Sequence, residues 1–322
     1  MREITVAADG SGEFTSIQAA VDSIPDGFTD PTVIRIKEGV YKEKLVVGKP
    51  AVALIGESAE RTILTYDDYA QKTFPDGELY HTFHSYTLLV TGDDFTAERM
   101  TIENAAGPGE AVGQAIAAYV DADRAVFREC RLLGHQDTLF TGPLPPAPRD
   151  RATFGGPRDG APRRPVRQYY ERCHIEGDID FIFGSATAVF EQCDIVSRRG
   201  GWITAASTPQ EVPYGYVFHR CRLTGAAPDQ SVYLGRPWRN YAKVAFIACW
   251  MGAHIKPDGW SAWNEKESVR DTEFAEFGSQ GPGAYTGKAR VEWSRQLTAD
   301  QTERYAASHV LAGSDGWNPV KR

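Results

Sequence analysis

The apolar positions of this chain recur in one frame, aromatic-x-x-Cys-x-aliphatic. The frame runs through Phe127, Cys130 and Leu132, then Tyr170, Cys173 and Ile175, then Phe190, Cys193 and Ile195. Phe218, Cys221 and Leu223 follow, and Phe246, Cys249 and Met251 close the series. All five cysteines fall on this register. Their spacings are 43, 20, 28 and 28 residues, and the first shrinks toward the others once one long intrusion is set aside. Variable coils built from short strands, stacked as a parallel β-helix, produce such a pattern. Strict alternation would put positions zero and three on opposite faces, so a bend is expected between each aromatic and its cysteine. Upstream, Ala97, Met100 and Ile102 fit the same frame, with Met100 in the cysteine's place. The prediction is an all-β solenoid forming one domain over residues 1–322, with an antiparallel sandwich as the alternative.

The open ends of a solenoid expose strand edges and need covers. Thr15-Ser16-Ile17-Gln18 resembles a capping box that opens a short helix through Ile24, stopped by Pro25. A second helical stretch is expected from Thr298 to Gln301, running on toward Gly313. Both read as caps or packing helices.

A chain of 322 residues buries roughly three quarters of its unfolded surface, so its core needs no disulfide or metal. The cysteines are expected as free thiols stacked inside the coils. A net charge of -8 argues against a nucleic-acid partner. Arg2 to Val6 enters an alternating strand pattern without an apolar leader, and no later run reaches membrane-spanning length. A soluble monomer is expected, cytoplasmic as encoded or secreted if a leader has been removed.

The intrusion spans about Gly142 to Gln168 and holds seven of the 19 prolines and six arginines against two aspartates. It reads as a loop. It leaves the coil just after Asp137 and returns before Asp180, so it must border any site those residues make, and a basic rim there suits an acidic ligand. Asp137 lies seven residues after Cys130, and Asp180 seven after Cys173. If each frame is one coil, the two carboxylates come from corresponding points of neighbouring strands, about 4.8 Å apart in backbone spacing. Two carboxyls held that close cannot easily both ionise, which sets an acid beside a base.

The segments Gly134-His135-Gln136-Asp137-Thr138-Leu139, Asp180-Phe181-Ile182-Phe183-Gly184 and Leu234-Gly235-Arg236-Pro237-Trp238 resemble the pectin methylesterase (pectinesterase) family. Gly39-Val40-Tyr41-Lys42-Glu43, Gly113-Gln114-Ala115-Ile116-Ala117, Gly259-Trp260-Ser261-Ala262-Trp263 and Gly281-Pro282-Gly283-Ala284 match in the family's order. The resemblance implies a right-handed parallel β-helix that hydrolyses the methyl esters of polygalacturonate, in pectin or its oligosaccharides, without a cofactor.

Within that reading Asp180 is the nucleophile, and Arg236 is the counter-charge that keeps it ionised. Asp137 gives a proton to departing methanol and then acts as base for water. Gln114 and Gln136 supply amide N–H groups to the oxyanion. Trp238, Phe183, Phe140 and Phe83 are candidates for stacking on sugar rings, and Thr82 is carried over as a further contact. The family often has tyrosine where this chain has Phe140, so a hydroxyl contact is lost there. Gln136 and Asp137 are neighbours in sequence, and a straight strand would point them apart, so a second bend is expected.

No Gly-x-Ser-x-Gly elbow occurs, which disfavours a serine esterase. His81 and His84 lack a matching pair for a metal site. A retaining glycosidase also uses two close carboxylates, but has no evident use for two glutamines and an arginine on its nucleophile. The remaining alternatives are a related β-helix esterase or thioesterase with another acyl substrate, and an inactive carbohydrate-binding solenoid.

Overall fold

The computed structural model describes residues 1–264, 269–287 and 289–320. Three parallel faces wind around one core as a right-handed β-helix, the hand that nearly all parallel β crossovers adopt. The first face stacks eleven strands among the described residues, from Arg2–Val6 to Arg295–Gln296. The second begins at Gly39–Lys42 and the third at Leu45–Val47. Two long strands, His174–Gly184 and Asp194–Ala206, turn the corner between second and third faces without ending.

The bend expected between aromatic and cysteine is a single left-handed residue. Glu129, Arg172, Gln192, Arg220 and Ala248 have φ between 50° and 55°, and each stands directly before a cysteine. Arg99, at 49°, stands before Met100. One such residue resets the alternation, so aromatic and cysteine both point inward. Phe127, Tyr170, Phe190, Phe218 and Phe246 form a column of near-parallel rings, with centroid spacings falling from 5.0 to 4.3 Å. All five thiols are free and buried. Cys173, Cys193, Cys221 and Cys249 each donate to the carbonyl of the aromatic residue one coil earlier, at 3.3–3.5 Å. Burial pushes the Cys130 thiol up to about 12.

The coil from Cys130 to Cys173 keeps one offset on every face: Ala125 pairs with Gln168, Arg131 with His174 and Leu139 with Ile182. The intrusion is therefore a loop between the third face, ending at Thr141, and the first, resuming at Arg167. It closes earlier than composition suggests, because Arg167 and Gln168 belong to a strand. It is also partly buried. Leu144 and Phe154 are buried in one cluster with Phe83, and arginine ion pairs tie the loop and the strand that follows it to the solenoid. Arg158 pairs with Asp121 at 2.6 Å, Arg164 with Asp93, and Arg167 with Asp123 at 2.7 Å and Asp315 at 2.5 Å.

Helix Ile17–Asp22 covers the first coil, placing Ile17, Ala20 and Val21 on the core beside Leu45 and Val47. Ser16 is its N-cap, and Glu43 accepts the Ile17 and Gln18 N–H groups at 2.8 Å. The side chain of Gln18 pairs with the backbone of Val46, sealing that strand edge. At the other end the expected long helix is broken. Thr298 caps Ala299–Thr302 with a capping box, a 3-10 turn follows at Glu303–Tyr305, and extended Ala306 separates it from Ala307–Val310. This segment does not close the end of the solenoid. Tyr305, Ala307, Val310 and Leu311 pack on the outer side of the first face, against Tyr169, Val189 and Val217.

Candidate active site

A cleft opens on the third face, at the corner where the two long strands bend. The register shifts on either side of Ile179 mark that bend. Asp137 and Asp180 stand two residues ahead of Leu139 and Ile182 in the strands that those residues pair, and the Asp137 N–H donates to the Ile179 carbonyl at 3.0 Å. Both aspartates have left-handed backbones, φ 65° and 49°, which short polar side chains tolerate better than most. The break in alternation lets Gln136 and Asp137 face the same cleft.

Arg236 reaches this pair from two coils on. Its strand, Val232–Pro237, pairs Arg236 with Ala205, and Ala205 pairs with Phe183. The small Ala205 leaves room for the guanidinium to cross to Asp180. Arg236 Nε donates to Asp180 Oδ1 at 2.9 Å and Nη2 to Oδ2 at 2.6 Å, a bidentate pair. Gly235 is required beside it, since a Cβ there would collide with Thr204 Oγ1. The guanidinium is clamped between Trp202 at 3.8 Å and Trp263 at 4.2 Å from the ring centroids. Trp202 is fixed in turn by its Nε1–H, which donates to Ser261 Oγ at 2.7 Å.

Burial dominates the electrostatics of the pair. Asp137 and Asp180 are 7% and 6% exposed. Burial, then the neighbouring Asp180 charge, pushes the Asp137 carboxyl well above its ordinary value, against the pull of Arg236 and with a further push from Asp178. Burial also raises Asp180, but the Arg236 hydrogen bonds and charge oppose it directly. The proton therefore belongs on Asp137 and the negative charge on Asp180.

Gln114 and Gln136 come from adjacent coils, joined where the Ala115 N–H donates to the Gln136 carbonyl at 3.1 Å. Both line the cleft half-buried. Helix Gly109–Val112 packs over them so closely that a Cβ at Gly109 would lie 2.6 Å from Gln136 Oε1.

Trp238, Phe83, Phe183 and Thr82 also line the cleft. Trp238 is half-exposed, whereas Phe83 and Phe183 are 2% and 4% exposed and form the floor. Phe140 does not reach it. Its ring is fully buried beneath the floor, 4.6 Å from Tyr119, 4.9 Å from Phe183 and 5.0 Å from Phe83, so it cannot stack on a ligand.

Several contributors escaped the sequence reading. Trp263 lies in a quoted block, yet nothing there ties it to Arg236; Trp202 carries no signal at all. From the intrusion, Arg149, Arg151 and Phe154 line the cleft. Arg149 Nε donates to the Trp238 carbonyl at 3.2 Å, and its guanidinium lies 4.9 Å from the Trp263 ring. The intrusion thus brings Arg149 and Arg151 to the cleft, with Asp150 between them. Behind the aspartates, Asp178 accepts from Arg199 at 3.1 Å and from the Ile179 N–H at 2.8 Å, and it meets His135 Nδ1 at 3.2 Å. Arg199 also pairs with Glu110. This strap ties together four coils, just ahead of Gln114, Gln136, Asp180 and Trp202.

The chain matches the family described as Pectinesterase over residues 3–143 and 150–314. Pectinesterase 31 of Arabidopsis thaliana is 37% identical over 316 residues, covering 94% of this chain and 90% of that one. The solved pectin methylesterase from carrot superposes with a TM-score of 0.82 at 30% identity, over 98% of this chain and 94% of that one. A pectin methylesterase crystallised in complex with a hexasaccharide gives 0.80 at 29% identity, over 99% and 98%.

Proposed function

The chain belongs to the pectinesterase family, a carboxylic ester hydrolase that removes methyl groups from pectin, and on that premise we propose how its residues divide the reaction. Asp180, ionised, attacks the carbonyl carbon of the C6 methyl ester, and the carbonyl π electrons move onto oxygen. The amides of Gln114 and Gln136 hold that oxyanion, a role in which one lost donor typically costs about 10² to 10³ in turnover. Collapse breaks the bond to the methoxy oxygen, which takes the proton of Asp137 and leaves as methanol. An acyl-enzyme on Asp180 remains. Asp137, now a carboxylate, takes a proton from water as that water attacks the acyl carbon. The second collapse frees the galacturonate acid and returns Asp180 to Arg236 and the proton to Asp137.

The observation that carries this assignment is the unequal treatment of two carboxyls at one phase. Asp180 is gripped by Arg236 through two hydrogen bonds, while Asp137 is held neutral by burial and by its neighbour. Nucleophile and acid are therefore prepared before substrate arrives. Acid quench of a single turnover within milliseconds, with the acyl adduct mapped by mass to Asp180, tests the covalent step; direct water attack would leave that residue unmodified at every quench time. The net charge of -8 argues against nucleic acid as the partner.

A further inference from the structure

Arg236 is held by two unlike kinds of contact. One is the ion pair with Asp180, whose charge changes during the reaction; the other is the pair of indole faces, Trp202 and Trp263, which stay neutral throughout. Trp263 lines the cleft and can meet substrate. Trp202 is not one of the described residues that line it, so any effect of Trp202 on the reaction passes through Arg236. Its ring is fixed before substrate arrives. The Nε1–H donates to Ser261 Oγ at 2.7 Å, the Ser261 N–H donates to the Gly235 carbonyl at 3.1 Å, and Tyr233 stacks on the indole at 5.8 Å with 14° between the planes. Tyr233 and Gly235 belong to the strand that carries Arg236, so ring and guanidinium share one frame.

The covalent reading above, on which this inference rests, moves one negative charge between the aspartates. Acylated Asp180 is a neutral anhydride, and Asp137, having given its proton to the methoxy oxygen, is a carboxylate. Arg236, 17% exposed, then has no anion in its fork and a new one nearby, since its charge already acts on Asp137 in the resting site. Unheld, the guanidinium would turn toward Asp137. Deacylation needs it to stay: water adds to the acyl carbon, the bond to the Asp180 oxygen breaks, and that oxygen takes the electron pair. Donors already placed where this charge develops require no reorganisation at that moment.

We propose that Trp202 is a positioning residue for the second half-reaction, keeping Arg236 in register with Asp180 while that residue is acylated, so that the guanidinium receives the departing carboxylate. The two halves of the cycle differ in what aims Arg236. Before acylation the Asp180 carboxylate does so itself, through two hydrogen bonds. Afterwards the ring faces remain, because the attraction of a cation to an indole depends on the ring and not on the charge of either aspartate.

The test uses a methyl-esterified oligogalacturonide and rapid acid quench, reading the rate of first-turnover methanol release and the steady-state ratio of acylated to free Asp180. Trp202→Leu removes the ring, Trp202→Phe keeps one, and Ser261→Ala frees the indole without removing it. In Trp202→Leu the acylated-to-free ratio is expected to rise about tenfold, the scale of one desolvated cation–π contact, while first-turnover methanol release stays within about twofold of native. Trp202→Phe should return the ratio most of the way to native, and Ser261→Ala should raise it by less than Trp202→Leu does. A ratio unchanged in both Trp202→Leu and Ser261→Ala overturns the positioning role, as does first-turnover methanol release that slows as much as steady-state turnover. Methanol release with no adduct on Asp180 in any of these proteins would instead remove the covalent reading, and the positioning role with it.

Discussion

Asp137 and Asp180 stand one coil apart at the same phase, both in left-handed backbone conformations. A single kind of bend, repeated in adjacent coils, delivers two carboxyls to one point at roughly the 4.8 Å strand spacing. Burial and Arg236 then make them chemically unequal.

Asp180→Ala is expected to reduce methanol release below about 1% of native, with the β-helix intact by circular dichroism. The variant leaves the Arg236 cation, 17% exposed, without its counter-charge. Stability is expected to fall by about 1–3 kcal/mol. Adding Arg236→Met should restore the Tm and not the activity; restored activity would remove Asp180 from the nucleophile's role.

Turnover needs Asp180 ionised and Asp137 protonated, so it should decline at low pH through the first and at high pH through the second. The raised pKa of Asp137 also ties pH to stability. The folded protein keeps this proton at pH values where the unfolded chain has lost it, so this contribution is present at low pH. It disappears as pH rises from the ordinary carboxylate range through the raised folded value. Asp137→Asn should abolish activity and flatten that part of the Tm–pH curve; parallel curves for both proteins would contradict the assignment.

Asp178 contributes to the push that keeps Asp137 protonated, alongside burial and Asp180 and against Arg236. Asp178→Asn removes the charge and keeps the shape, so the basic limb of the kcat profile is expected to move to lower pH. It also loosens the strap to His135 and Arg199, which should lower kcat more than it raises KM. An unmoved basic limb would leave Asp178 a purely structural residue.

Phe154 is 4% exposed, packed edge-on to Phe83 at 5.4 Å and to Trp238 at 6.1 Å. Phe154→Ala should cost about 3 kcal/mol or somewhat more, as for a buried aromatic, and raise KM by freeing Trp238. A loss under about 0.5 kcal/mol by denaturant titration would return the intrusion to the status of a solvated loop.

The parts legible in the sequence were those with a period. The aromatic–cysteine frame revealed the coils because each coil repeats the same inward positions, and the phase of Asp137 and Asp180 followed from it. What escaped depends on contacts between coils at unequal spacing. Trp202 and Trp263 clamp Arg236 from different coils, and no regular interval links them. Phe140 was misread for a related reason. Its alternation fits a residue of the cleft face, but neighbouring Phe83 and Phe183 roof it over. In the intrusion, proline content correctly indicated irregular backbone yet concealed Leu144 and Phe154, whose burial depends on where the loop folds back.

The cysteine column described above has a consequence for how the molecule comes apart. Each thiol belongs to a different coil, is sealed from solvent and, beyond the first, hydrogen-bonds to the coil before it. A solenoid holds together mainly through nearest neighbours, so it can open from an end rather than all at once. Its thiols are then five distance marks along one axis. The number alkylated at a given denaturant concentration, and which ones, record how far the opening front has travelled, with Cys249 the mark nearest the C-terminal end and Cys130 the deepest from it.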